Sequence, residues 1–257
     1  APPGLVLPSM VAARVPRGTQ PGQFDASFTV PPQFVHATAP FVHFAMAAAS
    51  EALSDAGWKV NADAEDGSAD RTGVSIGSGV GSLQDITETY EELVHQGGYR
   101  RVSPFFVPRF LANMAAGIVS IQHGLRGPNH AVSTACATGT HSIGDAFRMI
   151  QHGDADVMVA GAAESSINAT TLAGFARMKA LSVRYNAQPE LASRPFDRDR
   201  DGFVIGEGAG VLVLEELQHA VARGARVYAE VVGYGMSGDA HHVTAPEPSG
   251  RSIIACM

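Results

Sequence analysis

Ser133-Thr134-Ala135-Cys136-Ala137-Thr138-Gly139-Thr140 joins a short apolar strand, His130–Thr134, to a helix that runs to about Gln151. The reading of this stretch decides the fold, because it places a thiol at a strand-to-helix turn. Helix N-termini carry unpaired N–H groups and the positive end of the helix dipole, and both stabilise a thiolate. The arrangement matches the strand-to-helix turn on which hydrolases of the α/β type display their serine nucleophile. The alternative is a small buried hydrophobe, the commonest role of a free cysteine. Ala135, Ala137 and Gly139 keep the turn bare, so a bulky acyl group could approach. Thr134, Thr138 and Thr140 add polarity that an inert core does not need. A nucleophilic Cys136 is therefore the preferred reading.

Working outward, Gly153 closes the helix, and Ala155–Ala162 follows as a nearly continuous apolar strand, the pattern of a strand buried on both faces. Ala209–Leu214 and Val227–Val232 read as two further strands, separated by a short helix ending at Gly224. Upstream, Thr72–Ile76 is a β-branched strand stopped by Gly77-Ser78-Gly79-Val80-Gly81. Helices are predicted from Pro40, at the first helical position, to Gly57, from about Leu83 to His95, and from about Phe110 to His123 with a stop at Gly124. Strands alternating with helices imply an α/β layered sheet. Eight of the 15 prolines fall within residues 1–40, which read as irregular or extended chain.

The 257 residues, 45% hydrophobic, suffice to bury a large core in one large domain or two small ones. Two cysteines cannot form a disulfide framework, which points to a reducing compartment. No apolar run reaches membrane-spanning length, and no secretory or transit segment is visible. The first residue is Ala1, so a removed presequence or a truncation is expected. A net charge of −7 argues against a nucleic-acid partner. Arg100, Arg101 and Arg109 form a local basic exception, either a solvated face or a docking patch for an acidic partner.

Three motifs invite other chemistry. The glycine-rich loop has Ser82 where a dinucleotide fingerprint needs its third glycine. Asp197-Arg198-Asp199-Arg200-Asp201-Gly202 starts like a calcium loop, but its twelfth position is Gly208 rather than glutamate, so it reads as a charged turn. Ten histidines include no H-x-x-x-H pair, and no metal site is expected. His141, five residues after Cys136, points well away from the turn at roughly 100° per helical residue, which leaves Cys136 without an obvious base.

Further stretches, taken together, carry a resemblance. They are Ser103-Pro104-Phe105-Phe106-Val107-Pro108, Asn113-Met114-Ala115-Ala116-Gly117, Gly124-Leu125-Arg126-Gly127-Pro128, Thr134-Ala135-Cys136 and Gly153-Asp154-Ala155-Asp156-Val157 through Gly161. Arg194-Pro195-Phe196-Asp197, Asp201-Gly202-Phe203-Val204, Gly206-Glu207-Gly208-Ala209-Gly210 and Asp239-Ala240-His241-His242 through Pro246 complete the set. In this order the chain resembles the β-ketoacyl-acyl-carrier-protein synthases, the elongating condensing enzymes of type II fatty acid synthesis in mitochondria and bacteria. The resemblance implies a thiolase-like α/β layered fold, of which this chain holds mostly the N-terminal half, in a homodimer. It divides the chain into a proline-rich segment 1–40, the N-terminal thiolase-like half 41–235, and the start of the second half, 236–257.

The same resemblance implies a ping-pong mechanism. Cys136 takes an acyl group as a thioester from acyl carrier protein, then condenses it with malonyl-carrier-protein as carbon dioxide leaves. No cofactor is implied. Val80 and Phe175 resemble residues that shape the acyl pocket, and Thr244 one that lines the pantetheine tunnel. Arg100, Arg101 and Lys179 resemble the surface that docks the carrier. The family's first strand, a Val-Thr-Gly segment, is absent upstream of residue 10. Its catalytic histidine pair, lysine and Gly-Phe-Gly loop belong to a second half that this chain does not reach. The expectation is thus a partial chain, inactive in condensation alone. Rival readings are a polyketide ketosynthase, a thiolase, or a non-catalytic partner or chain-length subunit. The mitochondrial matrix is the expected compartment and the bacterial cytoplasm the alternative.

Overall fold

A computed structural model describes residues 6–60, 67–95 and 97–257; Pro2 and Pro3 of the proline-rich segment lie outside these. The strands are β1 (Ala12–Ala13), β2 (Thr72–Gly77), β3 (Asn129–His130), β4 (Val157–Ser165) and β5 (Ile205–Glu215). They form one mixed sheet in the order β1-β5-β4-β2-β3. β4 runs parallel to β2, with Thr72 opposite Val157 and Gly77 opposite Ala162. It runs antiparallel to β5, with Val157 opposite Glu215 and Ser165 opposite Glu207. β1 and β3 pair in parallel at the two edges.

The helices are α1 (Ala26–Thr29), α2 (Pro32–Val35), α3 (Pro40–Asp55), α4 (Leu83–His95), α5 (Phe106–Phe110), α6 (Met114–His123), α7 (Thr138–Gln151), α8 (Ala169–Arg177), α9 (Leu217–Ala222) and α10 (Arg251–Cys256). α3 and α6 cover one face of the sheet and α7 covers the other. Strand alternation explains both cores. Val159 and Ala163 of β4 face α3 and α6, where they join Val74 and Ile76 of β2, Phe41, Val42 and Met46 of α3, and Ala116 and Val119 of α6. Met158 and Ala160 face α7, where they meet Ala146, Ile143 and Ile150. A strand buried on both sides must be apolar throughout, as Val157–Ala163 is. Each large side chain fully buried here contributes on the order of 1.5–3 kcal/mol.

Helix ends follow the sequence signals. Pro40 opens α3, where its missing N–H costs nothing. α6 stops at Gly124, which adopts φ 67° and donates its N–H to the Ser120 carbonyl, a left-handed cap that a side chain would strain.

Several boundaries differ from the sequence reading. The helix expected from Phe110 begins at Met114; Leu111 leaves helical geometry (ψ 126°) and separates it from α5. Strand pairing after Pro128 stops at His130 rather than Thr134, because the chain bends into the Cys136 turn. Val227–Val232 forms no strand: among the described residues it pairs with no neighbour, Tyr228 is exposed, and Val232 is 87% exposed. Its continuation crosses α7, where Tyr234 packs on Gly144 so closely that a Cβ there would collide with the ring. Within residues 1–40, β1 joins the sheet, and Val11 and Val30 are buried.

Candidate active site

The turn that carries Cys136 is a single 3-10 turn, Ala135–Ala137, feeding directly into α7. Cys136 is exposed and free. Ala135 sits at φ 51°, left-handed for a residue with a side chain, so the surrounding contacts must hold it there. Those contacts are local. The Thr138 hydroxyl donates to the Ala135 carbonyl (2.8 Å) and accepts from the Thr134 N–H (2.9 Å). The Ala137 N–H donates to the Thr134 carbonyl at 3.1 Å. The threonines that read as surplus polarity thus fasten the turn.

His141 does not point away. Its Nδ1 lies 2.8 Å from the Thr134 hydroxyl. Counting 100° per residue from Cys136 fails because α7 starts only at Thr138 and the turn before it is wound differently. His141 therefore reaches back to the turn, while no hydrogen bond between it and Cys136 is formed among the described residues.

The glycine-rich loop packs against the same turn. A Cβ on Gly77 would collide with the Val132 carbonyl and crowd the Thr138 methyl, and one on Gly79 would lie 3.4 Å from the Ala135 carbonyl. Close backbone approach is why small residues occupy this loop. Ser133 donates its hydroxyl to the Gly79 carbonyl at 3.2 Å. Glu164, near the end of β4, accepts from the Ser78 hydroxyl (3.1 Å), the Gly79 N–H (2.9 Å) and the Ser166 hydroxyl (3.0 Å). The Ser78 oxygen accepts the Gly81 N–H in turn. Sequence reasoning missed Glu164; its signal was a lone carboxylate at the end of a run otherwise apolar or small, Val-Met-Val-Ala-Gly-Ala-Ala-Glu.

The other expected site residues are more dispersed. Val80 stands in the loop beside the turn, 54% exposed. Phe175 is half-buried on α8, edge-on to Phe203 with ring centroids 6.3 Å apart. Thr244 is exposed in the loop before α10, where its N–H donates to His242 Nδ1 at 3.1 Å; no hydrogen bond joins it to the Cys136 turn among the described residues. Two clefts, of about 380 and 320 Å³, are lined by neither Cys136 nor Val80 nor Phe175.

Arg100 and Arg101 are exposed on the 3-10 turn Tyr99–Arg101, and Lys179 is exposed just past α8. α4 packs against this 3-10 turn and against α8, whereas Lys179 lies past the end of α8 at the cleft it lines with Ala176 and Asp201. Arg109 does not belong to that surface. It turns inward to Asp85 on α4 and donates to the carbonyls of His36 and Thr38, both at 3.0 Å. The charged turn is likewise structural. Asp201 accepts from the Ser182 hydroxyl and from the N–H groups of Val183 and Arg184. Burial pushes its pKa up, but these three bonds and the Arg184 charge outweigh that and bring it down to about 2.

The class the fold and site define is an α/β layered protein that presents an exposed thiol at a strand-to-helix turn. The family model described as beta-ketoacyl synthase, N-terminal domain, matches residues 7–220. The chain belongs to the β-ketoacyl synthase family through that domain. It is 57% identical to the mitochondrial 3-oxoacyl-[acyl-carrier-protein] synthase of Arabidopsis thaliana over 98% of this chain and 53% of that protein. It is 56% identical to 3-oxoacyl-[acyl-carrier-protein] synthase 2 of Rhizobium meliloti over 98% of this chain and 59% of that protein. The chain thus spans little more than half the length of these relatives. Its fold superposes on a crystal structure of a β-ketoacyl synthase from Burkholderia phymatum with a TM-score of 0.84 and 34% identity, covering 98% of this chain and 60% of that one. It also matches a type II PKS acyl-carrier protein complex with its ketosynthase, at a TM-score of 0.77 and 32% identity over 84% of this chain and 53% of that one.

Proposed function

We propose that the protein acts in fatty acid biosynthesis as a 3-oxoacyl-[acyl-carrier-protein] synthase, with Cys136 as the acyl acceptor. The observation that carries this reading is the position of Cys136: exposed, at the foot of α7, on a turn fastened by Thr134 and Thr138. In the first half-reaction the Cys136 thiolate attacks the carbonyl of an acyl-carrier thioester. A new carbon–sulfur bond forms, and the carrier's thiol leaves with the electron pair of the broken one. In the second, malonyl-carrier-protein loses carbon dioxide, and its carbanion attacks the acyl-cysteine and releases the Cys136 thiolate. The residues described here support the first half-reaction.

Val80 is the proposed wall of the acyl pocket, from its place in the loop that abuts the turn. Phe175 and Thr244 are proposed for the pocket and the pantetheine path on resemblance. Arg100, Arg101 and Lys179 are proposed to dock the acidic carrier, supported by their exposure. A homodimer is proposed because β3 leaves an open sheet edge beside the Cys136 turn, a surface suited to pairing with a second copy. The proposed compartment is the mitochondrial matrix, from the Arabidopsis relative; the Rhizobium relative, at nearly equal identity, keeps the bacterial cytoplasm as its rival.

The test is incubation with radiolabelled acyl-carrier thioester. Label retained by the chain and lost in Cys136→Ala supports the acyltransferase reading. Label that persists in Cys136→Ala contradicts it. Binding of the carrier without any transfer favours a non-catalytic subunit.

A further inference from the structure

We propose that Glu164 is a positioning residue for Cys136, acting through the glycine-rich loop; the inference deepens the reading above and rests on it for its functional meaning. One carboxylate joins three elements. It leaves β4 near the strand's end, holds the loop by the Gly79 N–H and the Ser78 hydroxyl, and holds the start of the next connection by the Ser166 hydroxyl. The loop fixed in this way is the one whose Gly79 lies against the Ala135 carbonyl. Ala135 is the residue held at φ 51° immediately before the thiol. Left-handed geometry on a residue with a side chain persists only where neighbours enforce it. Thr138 fastens the turn from the α7 side. The Glu164-bound loop buttresses it from the sheet side, with Ser133 bonded to the Gly79 carbonyl as the direct link.

The geometry also says what the carboxylate supplies. Oε2 accepts the Gly79 N–H, and Oε1 accepts both hydroxyls. A glutamine can reproduce this: its carbonyl oxygen replaces Oε2, and its NH₂ donates to two serine oxygens whose hydroxyl protons rotate away. An aspartate keeps the charge but is a methylene too short to span from β4 to the loop. Reach and acceptance, rather than charge, are therefore the predicted requirements.

Iodoacetamide alkylation of the chain, with Cys136 and Cys256 quantified separately by peptide mapping, tests this without relying on enzymatic turnover. Cys256, on α10, is the internal reference. Glu164→Ala is expected to lower the Cys136-to-Cys256 rate ratio by about three-fold, the scale of a lost helix-terminus interaction. Glu164→Gln should restore the ratio and Glu164→Asp should not. Gly79→Ala attacks the same contact from the loop, since its Cβ would lie 2.8 Å from Glu164 Oε2, and should lower the ratio as well; it carries the test if Glu164→Ala does not fold. An unchanged ratio in a folded Glu164→Ala or Gly79→Ala chain overturns the proposal, as does a Glu164→Gln chain that behaves like Glu164→Ala. Acyl transfer to wild-type Cys136 with a flat ratio would defeat the positioning role alone. A shifted ratio with no acyl transfer in the wild type would defeat the synthase reading and leave the positioning role standing.

Discussion

Arg109 holds separate parts of the chain together through one guanidinium: Asp85 on α4, and the His36 and Thr38 carbonyls ahead of α3. Removing it leaves two carbonyls without their donor and a largely buried carboxylate with the Ser82 hydroxyl as its remaining donor among the described residues. Arg109→Ala should therefore cost about 2–3 kcal/mol in urea unfolding. Arg109→Lys should recover only part of this, because a lysine lacks the planar fork that serves several acceptors. Arg100→Glu and Arg101→Glu, on an exposed turn, should each stay within about 0.5 kcal/mol of wild type. Asp201 gives a pH signature. Its folded-state pKa is lowered from 3.8 to about 2, so its contribution is complete above the unfolded value and is lost as pH falls through the folded one. The stability gap between wild type and Asp201→Asn, read by urea unfolding across pH, should be full above about pH 4 and shrink steadily toward pH 2. A gap that is constant across this range would contradict the assignment of the stabilisation to the ionised carboxylate.

At the scale of elements, α3 is the main packing unit on its face of the sheet. Phe41, Val42 and Met46 are fully buried against β2, β4 and α6. Phe41→Ala should cost about 3–5 kcal/mol, whereas Val232→Ala, at a site 87% exposed, should cost less than about 0.5 kcal/mol. Equal losses in the two variants would contradict this division between core and surface. The same contrast explains which elements could be read from the sequence. α3 and β4 carry a helical apolar face opened by Pro40 and an unbroken apolar run, so local signals and tertiary packing agree. Val227–Val232 has the composition of a strand, yet strand formation needs a partner, and the described residues supply none. Around Cys136, composition located the turn but not its winding. The 3-10 geometry of Ala135–Ala137 turned His141 toward Thr134, and hydrogen bonds from residues distant in sequence made Glu164 part of the site. Neither effect leaves a periodic signature.

Across the whole molecule, the sheet brings the loop after β2, the turn after β3 and the end of β4 to one end, and Cys136 stands where these three meet. The exposed cations Arg100 and Arg101 lie on a turn packed against α4, which follows that loop directly. An acidic carrier docked on this surface would gain mainly in encounter rate and orientation. Reversing charge with Arg100→Glu and Arg101→Glu together should raise the carrier concentration for half-maximal acylation by about five-fold at low ionic strength, with the difference fading in high salt. An unchanged value at low salt would contradict the proposed docking role of Arg100 and Arg101. The account as a whole depends on Cys136 being singled out by its turn. Its most direct test is to expose the wild-type chain to an acyl-carrier thioester and map the adduct by peptide mass spectrometry. The account predicts an acyl group on Cys136 and none on Cys256; acylation shared between the two cysteines, or confined to Cys256, would contradict it.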